Sequence, residues 1–526
     1  MRSERKEPLD FEQRPYLRAI LRDDRPRQVW VACAQSGKTV TGLSKLFHFL
    51  CHPPDGRPRT VIYTFPTQTE VHKFSKMRAK PMILASPFLR SQIGDVDSAE
   101  VKLFANGSAM YFQGTFTDRQ ATSIPADLLV HDELDKSVPG TIQMYEDRTS
   151  NSPDPRKYLY STPTIPNYGI TAEWELTDQR EWVWKCGCCG RDQIFAPMDR
   201  SVPWQEMLDF SEYPAAFRCG ACRAEVQRQW ILAGRWVAQA PENRGRAGYH
   251  LTAIMPPQST AARLAEAWKD AKYPELFVQG KIGLPEVAGD KSVTEDMIAF
   301  GEWPNTLQHA GPLFAGLDQG KKLDFIAGDG AGQLVCVWRF DDWSEVASAM
   351  RTLNIRMLVC DQRPDERAVQ KLMGDFPGRV LGADYSLNTV KDEEWFTKDP
   401  NHPHVAIART PGLDATREPL IMGGQGGDVF PAMAPELRRV LLAQLCASVR
   451  TRTEDAKGRP VANWVETGPD HLRHAHLYYR VACVAEPLSW WQSELHESEQ
   501  QLSEAEPPSA DPSADNFDYS GYPDRD

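Results

Sequence analysis

The sequence contains no run approaching the roughly eighteen consecutive apolar residues of a membrane-spanning helix, and Met1-Arg-Ser-Glu-Arg-Lys-Glu lacks the apolar stretch of a signal peptide. The expectation is a cytoplasmic protein with no membrane partner. Basic residues are not in excess either: 60 Lys and Arg face 72 Asp and Glu, for a net charge of −12. That balance argues against a nucleic-acid partner until it is located. Glu486 to Asp526 holds eleven acids and one base, leaving 61 acids against 59 bases, a net of −2, in residues 1–485. A nearly neutral body can carry basic channels for DNA, whereas the acidic tail would be repelled by phosphates and suits a protein partner. Eleven cysteines without an export signal also argue against a disulfide framework. What is left is an ordinary composition, 41% hydrophobic and 25% charged, in a chain of 526 residues long enough for roughly two to four domains.

Against this background one pair of segments carries chemistry. Val31-Ala-Cys-Ala-Gln-Ser-Gly-Lys-Thr39 is an apolar segment running into Ser-Gly-Lys-Thr and then a helical pattern. That is the strand, loop and helix order in which backbone N–H groups face a polyphosphate. Gln35, Ser36, Gly37, Lys38 and Thr39 are the candidate phosphate-binding residues, with Lys38 on the β/γ-phosphates and Thr39 on Mg²⁺. The first glycine of the GxxxxGK[ST] pattern is Ala32 here. About ninety residues on, Leu128-Leu-Val-His-Asp-Glu133 reads as a buried strand ending in two acids, which places Asp132 beside the metal and Glu133 where it can deprotonate a water. The two segments together indicate an NTP-hydrolysing site.

The strand candidates Val29–Ala32, Thr60–Phe65, Ala109–Gln113, Leu128–Val130 and Tyr158–Ser161 alternate with helical stretches, predicting an α/β nucleotide-binding domain with a parallel sheet over residues 1–170. Ser161-Thr-Pro-Thr164 follows the last of them, where the hydroxyls of Ser161, Thr162 and Thr164 can sense a γ-phosphate. Residues 171–310 contain Cys186-Gly-Cys-Cys189 and Cys219-Gly-Ala-Cys222, two knuckles with zinc spacing. Cys186, Cys189, Cys219 and Cys222 are the candidate ligands of a structural Zn²⁺, with Cys188 a spare or an exchanged ligand. The tryptophans around them, Trp174, Trp182, Trp184, Trp204, Trp230 and Trp236, are expected to be core rather than a base-stacking platform.

In residues 311–485 apolar segments at Leu313–Leu317, Leu323–Ala327, Leu334–Trp338 and Met357–Cys360 read as strands, with Asp318 and Asp361 at two strand ends. Asp470-His-Leu-Arg-His-Ala-His-Leu-Tyr-Tyr-Arg480 reads as a helix that sets Asp470 and His474 on one face. Acids at two strand ends and on a later helix form the constellation of an RNase H-like α/β nuclease, which needs two Mg²⁺ or Mn²⁺ ions to stabilise the attacking water and the leaving oxygen. Residues 486–526 have little periodic hydrophobicity and are expected to be disordered, with Phe517, Tyr519 and Tyr522 as a short docking motif or part of a solubilising tail.

These segments together resemble the large terminase subunit of tailed bacteriophages, most closely the lambda-like group. The resemblance rests on Arg14-Pro-Tyr16 ahead of the phosphate loop, Phe65-Pro-Thr67 leading to Phe74-Ser-Lys-Met-Arg78, Asp132-Glu-Leu-Asp135, Ser161-Thr-Pro-Thr164, the paired knuckles, Gly248-Tyr-His-Leu251 and the three acids. It implies a motor that uses ATP to translocate double-stranded DNA into a procapsid and a nuclease that cuts the concatemer, in a phage-encoded protein of the host cytoplasm. It also implies a small terminase subunit, a portal and a homo-oligomeric ring as partners, the acidic tail being a candidate portal contact. Lys38, Asp132 and Glu133 take the family's ATPase roles and Ser161-Thr-Pro-Thr164 its coupling role. Adenine contacts fall around Pro15-Tyr16, with Gln13 and Gln35. Arg119 and Arg148 are the candidates for an arginine on the γ-phosphate. Asp318, Asp361 and Asp470 take the nuclease roles, with His471 and His474 as candidate histidine ligands beside Asp470, His474 secondary to it, and Asp365 or Glu366 as alternatives to Asp361. The competing reading is a helicase-like translocase whose last domain binds DNA without cutting it.

Overall fold

In the computed structural model, which describes residues 10–53, 55–116, 121, 124–210, 214–287, 293–309, 311–386, 394–423, 426–454 and 460–485, all five strand candidates of the N-terminal region are strands. The chain divides into two units, Met1–Ser292 with Val449–Thr467, and Val293–Ser448 with Gly468–Asp526.

The strands of the first unit are β1 (Arg27–Ala32), β2 (Thr60–Phe65), β3 (Ile93–Asp97), β4 (Val101–Phe104), β5 (Ala109–Gly114), β6 (Leu128–Asp132), β7 (Arg156–Ser161), β8 (Arg180–Lys185), β9 (Asp192–Ile194), β10 (Leu208–Asp209), β11 (Ala216–Phe217), β12 (Arg235–Ala238) and β13 (Arg246–Leu251). Eleven of them form one sheet in the order β12-β8-β13-β1-β7-β6-β2-β5-β4-β3, with β9 paired to β8. From β13 to β5 every pairing is parallel. Strands covered on both faces are continuous apolar runs rather than alternating ones, and β6 is buried along its whole length. Helix Lys38–Cys51 packs Leu43, Leu46, Phe47 and Leu50 into the same core as Trp30, whose ring stacks on Tyr160 at 4.2 Å between centroids. Because β1, β6 and β7 are parallel, Ala32, Asp132 and Ser161 end at one edge of the sheet, where a parallel sheet presents its ligands.

The expected boundary near residue 170 is not where this unit ends. β8, β9, β12 and β13 come from the stretch read as a separate zinc and linker region, and β13 lies against β1 from Arg27↔Arg246 to Ala32↔Leu251. Arg246-Ala-Gly-Tyr-His-Leu251 hides this, because glycine, histidine and arginine dilute the apolar pattern of a central strand. Trp182, Trp184 and Trp204 are buried in the core on which Trp230 and Trp236 pack, and Trp174 is buried in a separate cluster with Val29, Val31 and Leu159.

The second unit contains β14 (Ala299–Pro304), β15 (Leu313–Gln319), β16 (Leu323–Gly328), β17 (Leu334–Phe340), β18 (Ile355–Asp361), β19 (Val380–Tyr385), β20 (Phe396–Lys398), β21 (His404–Ile407) and β22 (Val429–Ala432). Seven form a sheet in the order β17-β16-β15-β18-β19-β21-β20, and β14 pairs with β22 apart from it. β15, β16 and β17 are an antiparallel meander, whereas β15, β18, β19 and β21 run parallel. Helix His471–Val484 lies on β15 at Gly316, where an added Cβ would come within 2.1 Å of Ala475 O and Tyr479 N. Only glycine permits that approach, and it sets the start of the helix beside the end of β15. A hairpin of β23 (Ser448–Glu454) and β24 (Pro460–Glu466), which falls almost entirely in the first unit, comes before this helix along the chain. Among the described residues no helix is long and apolar enough to cross a membrane. The acidic segment 486–526, with Phe517, Tyr519 and Tyr522, and the candidate Arg119 lie outside the described residues.

Candidate functional site

The loop between β1 and helix Lys38–Cys51 brings its lysine directly onto the two acids that end β6. Lys38 Nζ lies 3.0 Å from Asp132 Oδ1 and 2.9 Å from Glu133 Oε1. Burial alone would lower the lysine's pKa, but Asp132 and Glu133 raise it, and Lys38 in turn holds Glu133 below the usual carboxylate range against its own burial. Such a site is ready for a polyphosphate, which can take over the lysine and release Glu133. Ser36 Oγ is buried without a hydrogen-bond partner, a polar atom left for a ligand. Tyr63, at the centre of β2, donates its hydroxyl to Asp132 Oδ2 at 2.7 Å and so fixes the carboxylate from behind. Near the loop, Tyr16 OH donates to Ser36 O at 3.0 Å, and Gln258 Nε2 donates to Gln35 O at 2.9 Å while its Oε1 accepts from Arg14. Arg148 is in the short turn Asp147–Thr149 after helix Pro139–Glu146.

Two residues beyond Glu133, Asp135 joins β6 to the Ser161-Thr-Pro-Thr164 segment. Its Oδ2 accepts from Thr164 N at 2.8 Å and Thr164 Oγ1 at 2.7 Å, its Oδ1 accepts from Ile170 N at 2.7 Å, and its own N–H donates to Ser161 Oγ at 3.3 Å. Burial nevertheless pushes the Asp135 carboxyl up to about 6. A carboxyl raised in the folded state holds a proton that the unfolded chain has lost, so its contribution to stability is complete below about pH 4 and is lost as pH rises through about 6. Urea midpoints from pH 4 to pH 7 should therefore show wild type losing stability relative to Asp135→Asn, at no more than about 1.4 kcal/mol per pH unit. A difference that does not vary with pH would contradict this assignment.

In the second unit Leu317 pairs with Cys360, so Asp318 and Asp361 stand side by side at the ends of adjacent parallel strands. Asp361 is pushed up to about 6, first by burial and then by the charges of Asp318 and Asp384. Asp318 Oδ2 is 2.7 Å from His471 Nδ1, and this contact raises the imidazole's pKa. Asp470 Oδ2 accepts from Ser448 Oγ at 2.6 Å and lies 3.1 Å from His474 Nε2. Burial alone would raise Asp470, but His474 and Ser448 hold it below the usual range. Tyr385 is hydrogen-bonded to the other nitrogen of His474. Asp365 instead caps helix Glu366–Asp375, accepting from Ala368 N at 3.1 Å, and Glu366 accepts from Gln362.

Residues 3–236 match the family model described as phage terminase large subunit gpA, ATPase domain. Over these residues the chain is similar to the ATPase domain of the phage terminase large subunit gpA. Among solved structures, the large terminase of bacteriophage HK97 is 12% identical with a TM-score of 0.48, over 90% of this chain and 95% of that one. The large terminase of a thermophilic bacteriophage, in complex with ATP-gamma-S, is 11% identical with a TM-score of 0.34, over 91% and 100%. The large terminase nuclease of the thermophilic phage G20c with bound magnesium is 15% identical with a TM-score of 0.24, over 35% and 93%. No curated protein matches the chain.

The four knuckle cysteines form two equivalent turns. Cys186 O accepts from Gly190 N and Cys219 O accepts from Arg223 N, while Cys186 N and Cys219 N donate to Arg191 O and Ala224 O. Cys186 Sγ is 3.8 Å from Cys222 Sγ, and Cys189 Sγ is 3.8 Å from Cys219 Sγ. A tetrahedral Zn²⁺ with Zn–S of about 2.3 Å sets its sulfurs about 3.8 Å apart, so the donor set fits that ion. Among the described residues, these are the one group of three or more His, Cys, Asp or Glu ligand atoms within 4.8 Å of one another. Cys188 is exposed and lies outside the group.

Sequence reasoning missed Tyr63 and Gln258, named His471 as a candidate metal ligand where it sits against Asp318, and placed Asp135 in a motif without a role. Only Asp135 left a usable signal, an acid two residues past Glu133. Tyr63 reads as one more aromatic of a buried strand, and Gln258 follows two prolines in a loop.

Proposed function

We propose that this terminase hydrolyses ATP at Lys38, Asp132 and Glu133 to move double-stranded DNA, and that its second unit cuts DNA with divalent metal at Asp318, Asp361 and Asp470. The observation that carries the proposal is the presence of two separate acid constellations, each at the carboxyl ends of parallel strands, with Lys38 against the first and none of its residues shared with the second.

In the ATPase reading, the N–H groups around Gln35, Ser36 and Gly37 and the start of helix Lys38–Cys51 receive the phosphates. Lys38 leaves its ion pairs for the β/γ-phosphates, and Thr39 with Asp132 would hold Mg²⁺, which offsets charge on the transferring phosphoryl group. Glu133, freed from Lys38, orients a water and accepts its proton. Asp135 carries a change at β6 to Thr164, giving Ser161, Thr162 and Thr164 their coupling role.

The nuclease reading is supported by the β17-β16-β15-β18-β19 order with a helix over β15, the order expected of an RNase H-like sheet. Asp318, Asp361 and Asp470 would hold the metal ions, which lower the pKa of a bound water and stabilise the leaving oxygen. Asp361 is preferred to Asp365 and Glu366, since it faces Asp318 while they serve the following helix. His474 orients Asp470. The partners implied are the small subunit and the portal, on a procapsid vertex where several copies form a ring.

One observation favours the alternative of a DNA-binding unit without cleavage: Asp318 and Asp470 are already engaged by His471, His474 and Ser448. ATP turnover stimulated by double-stranded DNA, with linear products from concatemers in Mg²⁺ or Mn²⁺, tests both halves. ATP-driven movement on DNA with no cleavage in either metal would favour the alternative.

For the knuckles we propose a structural Zn²⁺, since four thiolates leave no open position. Metal analysis of protein purified under reducing conditions should find one zinc per chain. Cys219→Ser should lower the melting midpoint of the first unit by several degrees, at about 2–4 °C per kcal/mol lost in domains of about 150–250 residues. Zinc-free protein with an unchanged midpoint would reject the site.

A further inference from the structure

Behind the phosphate loop, the chain from Val278 to Glu286 gathers backbone groups from three separate parts of the first unit. It begins with a π-helical turn, Val278–Ile282, a geometry that recurs at functional sites. Gly280 O accepts from Ala34 N, inside the phosphate loop, at 2.7 Å. The Gln279 side chain, only 5% exposed, donates Nε2 to Thr164 O at 2.6 Å and to Glu286 O at 2.7 Å, while Glu286 N donates to the same Thr164 O at 2.9 Å. Thr164 is the residue held by Asp135, so one carboxamide connects the acid-bearing end of β6 to the turn that holds the loop.

The turn is itself fixed. Gly283 has φ +95°, and a Cβ there would lie 3.1 Å from Leu251 O and 3.2 Å from Cys33 N. Its carbonyl faces His250 Nε2 at 2.8 Å, and His250 Nδ1 meets Glu181 Oε2 at 2.9 Å with both side chains buried. Glu181 is on β8, the strand that leads into Cys186. A loop braced on one side and bridged on the other cannot shift Ala34 independently of Thr164.

We infer that Gln279 is a positioning residue for ATP hydrolysis, holding the phosphate loop and the Ser161–Thr164 segment in one register so that a change at either is felt at the other. The inference rests on the ATPase reading above. Gln279 donates to the backbone carbonyls of Thr164 and Glu286 and not to Lys38, Asp132 or Glu133, so it sets how often Glu133 and the loop are aligned rather than whether ATP binds. A misplacement of about 1 Å can cost on the order of 10²-fold in rate.

The test is steady-state ATP turnover of the full chain with Gln279→Ala and Gln279→Met. Methionine keeps the length and most of the volume of glutamine but cannot donate. Both variants should lose roughly 10–100-fold in kcat, with KM for ATP within about twofold of wild type. Methionine restoring kcat would make the role one of packing and overturn the inference, as would equal losses in kcat and in ATP affinity. Hydrogen exchange of wild type supplies a readout that does not depend on the variants folding. The Ala34 and Glu286 amides should both become slower to exchange with ATPγS, and a change at Ala34 alone would overturn the coupling. A wild type that turns over no ATP would instead remove the ATPase reading itself.

Discussion

Lys38→Ala should reduce ATP turnover by roughly 10²–10³-fold, the loss seen when one preorganised donor is removed from a developing charge, while leaving metal-dependent DNA nicking at the wild-type level. The expectation follows from where the ammonium sits. Lys38 is buried between Asp132 and Glu133, at 3.0 and 2.9 Å. Its removal takes the cation from the phosphates and also leaves two close carboxylates without their counter-charge, so Glu133 should become harder to ionise. Lys38→Arg is not a conservative rescue, because the planar guanidinium does not fit a point-charge position between two acids. The check is phosphate release with and without double-stranded DNA, beside plasmid nicking by the same preparation. Loss of both activities in a folded protein would contradict separate sites.

Asp318→Ala should do the reverse, reducing nicking to below about one-hundredth of wild type while ATP turnover is unchanged. Asp318 ends β15 beside Asp361 and receives His471 at 2.7 Å. Removing it takes away a carboxylate between two strands and frees the histidine, but it leaves the sheet intact, since its neighbours Leu317 and Leu313 carry the packing. Asp318→Asn should be nearly as inactive, because a neutral amide keeps the shape and loses the charge that a divalent ion needs. Nicking retained by Asp318→Ala would move the metal site elsewhere or assign the cleavage to a contaminant.

Much of the first site was legible because its residues are consecutive. Ser36-Gly-Lys-Thr39 and His131-Asp-Glu133 follow apolar strands, and order along the chain is enough to place them on one sheet edge. The sheet order was not legible. β13 pairs with β1 across more than two hundred residues, and nothing in Arg246-Ala-Gly-Tyr-His-Leu251 marks a central strand. The knuckles were read from spacing alone, but their strands belong to the ATPase sheet, which spacing does not report. Asp318 and Asp361 were found as strand ends, whereas the contact of His471 with Asp318 was not foreseen, because the sequence could not show that Gly316 brings the last helix onto β15. The supports of the site, Tyr63, Asp135 and Gln279, act through hydrogen bonds between distant segments and leave almost no local pattern.

The central claim is that one chain holds an ATPase and a separate metal-dependent nuclease. The most direct measurement is cleavage of supercoiled plasmid by the purified protein in Mg²⁺ or Mn²⁺, run beside ATP turnover for wild type, Lys38→Ala and Asp318→Ala. The account predicts that wild type performs both reactions and that each variant loses only its own. Cleavage absent from well-folded wild type in both metals, or a single substitution that abolishes both reactions, would contradict it.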